Sequence, residues 1–467
     1  MMQLSQAANM LDAKLVGKDV LFTAVSKDTR TIHQGDLYVA LKGERFDGHD
    51  FINDAAAAGA VAAMVDENQN STLPHIKVAD TRLALGALAA GWRRQFTGKV
   101  AGITGSNGKT TVKEMCRSML VQHADEKKVL STRGNLNNDI GLPLTLLALR
   151  EQHQFAVIEM GANHVGEIDY LTHIAQPDVA LVNNAAPAHI EGFGSLENIA
   201  HAKAEIYSGL NSKGTAVINL DDHFASLWLD ICKQRSCRTF SLENTDANVY
   251  ASELQMDATG SRFVIHVDGV SEKVTLALPG RHNVMNALAA TAVCSSLDVK
   301  IKTIAAALKN FNPVNGRLNI KPAINGARMI DDTYNANPQS FNAAMQVLTS
   351  MPGSAWMVMG DMAELGSNAK ELHRSLGVRA KQMGVQRLFA TGELSREAVR
   401  GFGINAEWFS EQSSLIDAIK SELKPENIVL VKGSRFMAME KVVSALLPVS
   451  KQGKNKNNSS GNRQEVS

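Results

Sequence analysis

The chain is short of several things, and each shortage narrows what it can be. Only 4 cysteines occur in 467 residues, Cys116, Cys232, Cys237 and Cys294, too few and too scattered for a disulfide framework. Cys232 and Cys237 have no second Cys or His pair to complete a zinc site, so all four read as ordinary thiols of a reducing compartment. Net charge is almost absent. The 48 Lys and Arg against 47 Asp and Glu leave +1, so no broad field recruits nucleic acid or an acidic membrane surface. Any phosphate must therefore be held by a local site. No apolar run reaches the length of a membrane span, and the first residues lack the apolar core of a secretory signal. The expectation is a cytoplasmic protein with no membrane insertion and no nucleic-acid partner. Aromatics are scarce at 5%, yet 44% hydrophobic and 20% charged residues suit a globular protein. The length exceeds one hydrophobic core and predicts about three domains.

What is present is concentrated at one stretch. The apolar run Val100-Ala101-Gly102-Ile103 leads into Thr104-Gly105-Ser106-Asn107-Gly108-Lys109-Thr110-Thr111, after which Val112, Met115, Cys116 and Met119 recur at helical spacing. That is strand, loop, helix. Glycines let backbone N–H groups curl around a phosphate, the helix N-terminus adds partial positive charge, Lys109 adds a full one, and the Thr110 hydroxyl suits Mg²⁺. The common nucleotide loop reads G-x-x-x-x-G-K-S/T, but here Ile103 stands five before Gly108, and the pattern is the tighter T-G-x-x-G-K-T. Thr104, Gly105, Ser106, Asn107, Gly108, Lys109 and Thr110 are thus the expected nucleotide contacts.

Along the chain the fold class reads as α/β in three domains. Residues 1–98 form a small α/β unit with strands near Asp36–Leu41 and Ala62–Val65, an alanine-rich helical stretch from Asp54 to Ala63, and a helix from Arg82 to Arg94. Two of its loops suit a phosphorylated ligand: Ser26-Lys27-Asp28-Thr29-Arg30, and Lys42 to His49 with Arg45 at its centre. Both also read as plain polar turns. In residues 99–314, successive strands end in chemistry: Ala156–Ile158 before Glu159, Val179–Val182 before Asn183, and Val217–Ile218 before Asn219. This is a central, nucleotide-loop type domain on a mainly parallel sheet, with an antiparallel hairpin around Asp268-Gly269 and a further helix starting near Gly280. From 315 to 450 the pattern restarts as a second open, Rossmann-like α/β sheet, with strands ending at Ile330, Met359, Ala390 and Val431. Residues 451–467 are low in apolar side chains and predict a disordered tail.

Three further positions draw the eye. Glu159, just past a strand, is placed to hold Mg²⁺ against phosphates, because that ion takes hard oxygen ligands. His189 lies in a polar loop and reads equally as a surface residue or a metal ligand. Leu196, Ile199, Lys203, Ile206 and Leu210 follow the helical stripe, so Lys203 sits among apolar residues. Burial there lowers an amine's pKa, and a neutral amine can add CO₂ to give an anionic carbamate. Alternatively the stem packs while the ammonium reaches water. Asn137 and Asn138, in Gly134-Asn135-Leu136-Asn137-Asn138-Asp139, either grip a polar substrate or cap the following helix.

Together these strings resemble the Mur ligase family of cell-wall enzymes. T-G-S-N-G-K-T, E-M-G-A-N-H, N-N-A-A-P-A-H, A-K-A-E-I, R-H-N-V-M-N-A and G-R-L occur in the family's order across nearly the whole chain. G-N-L-N-N-D-I-G-L-P, D-D-T-Y-N-A-N-P, G-D-M-A-E-L-G and V-K-G-S-R resemble the branch that adds D-alanyl-D-alanine to UDP-N-acetylmuramoyl tripeptide, and the D-N-P-R string of the diaminopimelate- or lysine-adding branch is absent. The resemblance implies an ATP- and Mg²⁺-dependent amide ligation through an acyl phosphate, by a monomer. It also implies a UDP-binding first domain using Asp28, Thr29, Arg30 and Arg45. Asn283, Arg317, Asp331 and Tyr334 would lie about the nucleotide, and a second Mg²⁺ would be held near His189 by carbamylated Lys203. Closure over ATP implies hinges near residues 98 and 315. A folate-directed relative lacks the UDP-binding unit that residues 1–98 supply.

Overall fold

A computed structural model describes residues 1–448 apart from 45, 67–70, 188 and 189. Arg45, His189 and the tail 451–467 therefore lie outside the described residues. The chain divides into two compact units: residues 1–314 with Asn337–Ala343 and Ala363–Ala369, and the rest of the chain from Asn315 onward.

The first unit contains the two N-terminal sequence domains. A five-stranded sheet runs Lys14–Val16, His75–Val78, Ala62–Asp66, Asp36–Val39, Ala24–Ser26, parallel except at its first strand. The alanine-rich helix ends sooner than its composition suggests, at Ala58, because Gly59 takes φ +112° and closes it with a left-handed cap. A nine-stranded sheet follows. Its parallel part orders Ser236–Ser241, Thr215–Asn219, Val179–Val182, Lys99–Thr104, Phe155–Glu159 and Val129–Ser131, and an antiparallel hairpin of Gly260–Val267 and Val270–Leu276 extends it beyond Val249–Asp257.

The core of the first unit is continuous across residue 98. Leu85, Leu88 and Ala89 of the helix Thr81–Arg94 share one apolar cluster with Leu142, Leu146, Leu171 and Ile174. Arg93 is buried there, and its guanidinium donates to the carbonyls of Ala175 (2.8 Å) and Gln176 (2.9 Å), the last acceptors of the helix Glu167–Ala175. Gly86 makes the approach possible, since a Cβ there would stand 2.1 Å from the Tyr170 hydroxyl. The expected hinge at residue 98 thus falls inside one compact unit, at a point that a single apolar cluster spans.

The second unit is a six-stranded sheet in the order Asn319–Pro322, Arg328–Asp332, Asn427–Lys432, Ser354–Met359, Arg387–Thr391, Ala406–Phe409, parallel but for its first strand. Its strands carry Met329, Val358, Phe389, Val429 and Val431 into a core closed by the helices Gln412–Glu422 and Glu440–Leu446.

Candidate active site

In an open parallel sheet, ligands gather beyond the carboxyl ends of the strands where the order of connection reverses. Lys99–Thr104 is that strand: the chain leaves it for the outer strand Val129–Ser131, returns to Phe155–Glu159 on one flank, and crosses to Val179–Val182 on the other. Register sets Glu159 against Ile103 and Val182 against Thr104, so the nucleotide loop, Glu159 and Asn183 emerge at one level.

The loop is clamped by the segment after Val182. Asn107 N–H donates to Asn184 Oδ1 (2.8 Å), while the Asn107 carbonyl accepts from Asn184 Nδ2 (3.1 Å) and Asn183 Nδ2 (2.9 Å). Ser106 N–H donates to the Asn184 carbonyl at 3.0 Å. The Ser106 hydroxyl donates to the Ala186 carbonyl (3.0 Å) and accepts from Ala186 N–H (2.9 Å). Asn286 joins from the helix Arg281–Ser295, its Oδ1 accepting from Asn183 Nδ2 at 3.0 Å. Gly108 must be glycine twice over: its φ is +80°, and a Cβ would meet Asn286 Oδ1 at 2.4 Å and Asn183 Nδ2 at 2.5 Å. Lys109 opens the helix Lys109–Ala124, and its ammonium donates to the Gly105 carbonyl at 2.6 Å. Thr110 is buried beside it.

Several expected contacts prove to have structural work. Thr104 is fully buried and its hydroxyl donates to the Met160 carbonyl at 2.9 Å, tying the loop's strand to Glu159's. Ser106 and Asn107 have their N–H groups directed at Asn184, as above. Asn138 caps the helix Gly141–Leu147, Oδ1 accepting from Gly141 N–H at 2.9 Å. Asp28 and Arg30 face each other in a paired contact, Nε to Oδ1 at 2.9 Å and Nη2 to Oδ2 at 2.6 Å, and that guanidinium holds the Asp28 carboxyl down at about 2. Thr29 starts the short helical turn that Asp28 caps. Asn283 is buried at the head of its helix, its amide donating to the Pro279 carbonyl at 2.8 Å. In the second unit, the Arg317 guanidinium lies 4.1 Å over the Tyr334 ring. There too Asp331, nearly buried, accepts from Lys321 Nζ (2.7 Å) and the Thr333 hydroxyl (2.7 Å).

The chemistry of the first unit centres on two buried groups. Glu159 is 2% exposed; Oε1 accepts from Asn137 Nδ2 at 2.8 Å, and Oε2 is buried with no partner among the described residues. An ionised oxygen left so is costly unless a cation completes it. Lys203, on the helix Leu196–Ala204, is 3% exposed, its ammonium 5.8 Å from the centre of the Phe193 ring. Desolvation first, and the Lys109 charge second, lower its pKa from 10.5 to about 7, with Glu205 opposing. The two amines thus share one neighbourhood. Of the alternatives open in the sequence, the structure takes burial: the helical stripe continues as the short turn Glu205–Tyr207, and Lys203 stays inside it.

The "Mur ligase family, catalytic domain" matches residues 21–93, the "Mur ligase middle domain" 103–294, and the "Mur ligase, glutamate ligase domain" 316–435. A protein of Escherichia coli strain K12, UDP-N-acetylmuramoyl-tripeptide–D-alanyl-D-alanine ligase, is 43% identical over 95% of this chain and 98% of its own. The chain belongs to the Mur ligase family. A Bacillus subtilis ligase of the same name is 35% identical over 91% of this chain and 93% of its own. Among solved Mur ligases, a MurF from Acinetobacter baumannii superposes with a TM-score of 0.88 at 36% identity, covering 95% of this chain and 98% of its own. The MurF ligase of Thermotoga maritima in complex with ADP gives 0.80 at 28% identity, covering 92% and 98%. A folylpolyglutamate synthase of the same organism, at 17% identity and 0.60, shares the fold alone, over 79% of this chain and 94% of its own.

The low Lys203 pKa has a thermodynamic consequence. The unfolded lysine keeps its proton to about pH 10, whereas the folded one loses it near 7. Between those values the unfolded chain binds more protons, so this residue's contribution to stability rises with pH from 7 upward. In CO₂-free buffer, the melting temperature of wild type is therefore expected to gain on that of Lys203→Met between pH 6.5 and pH 9, a window on the order of the shift itself. Parallel melts across that range check it, and a gap independent of pH refutes a neutralised Lys203.

Proposed function

We propose that the chain joins D-alanyl-D-alanine to UDP-N-acetylmuramoyl tripeptide at the expense of ATP, a late step in building the soluble peptidoglycan precursor. The observation that carries this reading is the pairing, at the carboxyl ends of adjacent strands, of a lysine-tipped glycine loop with a buried carboxylate that has one oxygen without a partner among the described residues. The activity named for the Escherichia coli and Bacillus subtilis relatives, matched over nearly full length, supports the substrates. The ADP in the Thermotoga maritima complex supports the nucleotide.

The reaction runs in two balanced steps. The tripeptide's terminal carboxylate attacks the γ-phosphorus of ATP, giving an acyl phosphate and ADP. The amine of D-alanyl-D-alanine then attacks the acyl carbon, forming the amide and releasing phosphate and a proton. Such phosphoryl transfer depends on positioning and on neutralising charge rather than on covalent catalysis. Lys109 turns its ammonium from the loop carbonyls onto the phosphates. The helix Lys109–Ala124 aims its positive end at the same place. Asn184, by holding the Ser106–Asn107 backbone, keeps the loop open.

Thr110 and Glu159 fit a Mg²⁺ ion: Oε2, without a partner among the described residues, is a hard anionic oxygen, and the threonine follows the loop lysine as such sites require. The ion, when bound, supplies charge neutralisation between the phosphates. We assign a second ion to Lys203 as its carbamate together with His189, which would hold it where it would offset the repulsion between the substrate carboxylate and the γ-phosphate. Asn283, with Arg317 and Tyr334, is assigned to the adenosine end, and Asp28, Thr29, Arg30 and Arg45 to the UDP end. The enzyme is proposed to act as a cytoplasmic monomer, and no helix among the described residues is long and apolar enough to cross a membrane.

The deciding experiment measures phosphate release with ATP, Mg²⁺ and UDP-N-acetylmuramoyl tripeptide, with and without D-alanyl-D-alanine. Sustained release is expected only when the dipeptide is present. Release indifferent to the dipeptide would mark a nucleotide-driven switch or motor and remove the ligase reading.

A further inference from the structure

We propose that Asn137 is the residue that aims Glu159, and that the loop from Thr132 to Asn138 serves this carboxylate rather than gripping the UDP-linked substrate. The proposal rests on the reading of Glu159 as a metal ligand given above.

Glu159 is held at both ends by this loop. Its backbone N–H donates to Thr132 Oγ1 at 3.0 Å, and Asn137 Nδ2 donates to its Oε1 at 2.8 Å. Thr132 is itself fixed from two sides. Its N–H donates to the Val157 carbonyl at 3.0 Å, and its carbonyl accepts at 2.7 Å from Nζ of Lys113, a residue 1% exposed in the helix that follows the nucleotide loop. Asn137 is anchored through its carbonyl, which accepts from Gly161 N–H at 2.9 Å. Its carboxamide has a seat because residue 161 is glycine. A Cβ there would stand 3.0 Å from Cγ, Oδ1 and Nδ2 of Asn137 alike, tighter than ordinary contact.

The consequence lies in what kind of donor Asn137 is. A lysine or arginine in its place would neutralise Glu159. A neutral amide fixes one oxygen and the rotamer while leaving the full negative charge on the group. The second oxygen, buried and without a partner among the described residues, is then held on a fixed axis for a cation. Asn138, one residue on, has a separate task, its oxygen capping the next helix.

The test uses the full-length enzyme with ADP, titrated with Mn²⁺ and followed by electron paramagnetic resonance of the free ion. The Michaelis constant for UDP-N-acetylmuramoyl tripeptide is measured alongside at saturating Mg²⁺. Asn137→Ala is expected to weaken Mn²⁺ binding by about 10-fold or more, as loss of a ligand's orienting partner does, and to leave that Michaelis constant unchanged. Gly161→Ala keeps the asparagine but crowds its carboxamide, and is expected to weaken Mn²⁺ in the same direction. Melting temperatures report separately that both variants fold. Unaltered Mn²⁺ affinity in Asn137→Ala overturns the proposal, as does a raised substrate Michaelis constant without a change in Mn²⁺ affinity. Glu159→Gln tests the underlying reading. If it binds Mn²⁺ as wild type does, Glu159 is no ligand and the metal reading fails first. If it loses Mn²⁺ while Asn137→Ala does not, only the positioning role fails.

Discussion

Lys109→Ala is expected to reduce turnover by at least about a thousand-fold, the scale on which a single cation at a transferring phosphoryl group acts. The reason lies in how little else on the loop can replace it. Ser106 and Asn107 direct their N–H groups to Asn184, so these two amides are bound to protein rather than offered to phosphate. The Lys109 ammonium donates to the Gly105 carbonyl at 2.6 Å, and in the proposed reaction it leaves that carbonyl for the triphosphate. Its side chain is partly exposed, so its removal leaves the core intact. The melting temperature should hardly move, and ADP affinity should fall together with the rate. Lys109→Arg is the companion variant: it keeps the charge but not the compact ammonium, and recovery is expected to be partial. Phosphate release by Lys109→Ala at the wild-type rate would refute the assignment of this loop.

Much of this site could be read from the chain before any coordinates. A glycine turn ending in Lys109-Thr110, with a continuous apolar run before it and apolar residues at helical spacing after it, announces strand, loop and helix by itself. Glu159 was legible because it ends an apolar run, and Lys203 because it interrupts a stripe that is otherwise Leu and Ile. The asparagines were only partly so. The capping alternative holds for Asn138, but Asn137, Asn138, Asn183 and Asn184 are alike in sequence and their partners are not: Glu159 for Asn137, the Gly141 N–H for Asn138, Asn286 and the Asn107 carbonyl for Asn183, and the Asn107 peptide for Asn184. Such choices depend on which strands come side by side, and Asn184 meets Asn107 across 77 positions of sequence. The union of residues 1–98 with the central sheet was hidden for the same reason. Gly86 reads as an ordinary helix glycine until Tyr170 is seen to need its space. The strands Val129–Ser131 and Ser236–Ser241 were missed because each is too short or too polar to show a period.

The second large effect concerns Lys203. A lysine 3% exposed, with Lys109 in its field, is disfavoured as an ammonium by more than Glu205 offsets, and its pKa near 7 makes the neutral amine abundant at physiological pH. A neutral amine can add CO₂, forming a C–N bond and releasing one proton; at Lys203 that would give an anion suited to a metal, as proposed above. Lys203→Ala is therefore expected to lose about 100-fold or more in turnover, on the scale of losing a metal-supporting group. The truncation also leaves a space the length of a lysine side chain. Formate or acetate should enter it and restore a measurable part of the rate, standing in for the carbamate. Lys203→Met fills that space, so it should be equally inactive and gain nothing from either acid, which separates lost chemistry from lost packing. Carbon-13 resonance of enzyme equilibrated with labelled bicarbonate gives an independent readout: a lysine carbamate signal in wild type, absent from both variants. An active Lys203→Ala enzyme, or a wild type without that signal in the presence of Mg²⁺ and ADP, would return Lys203 to the role of a packed side chain.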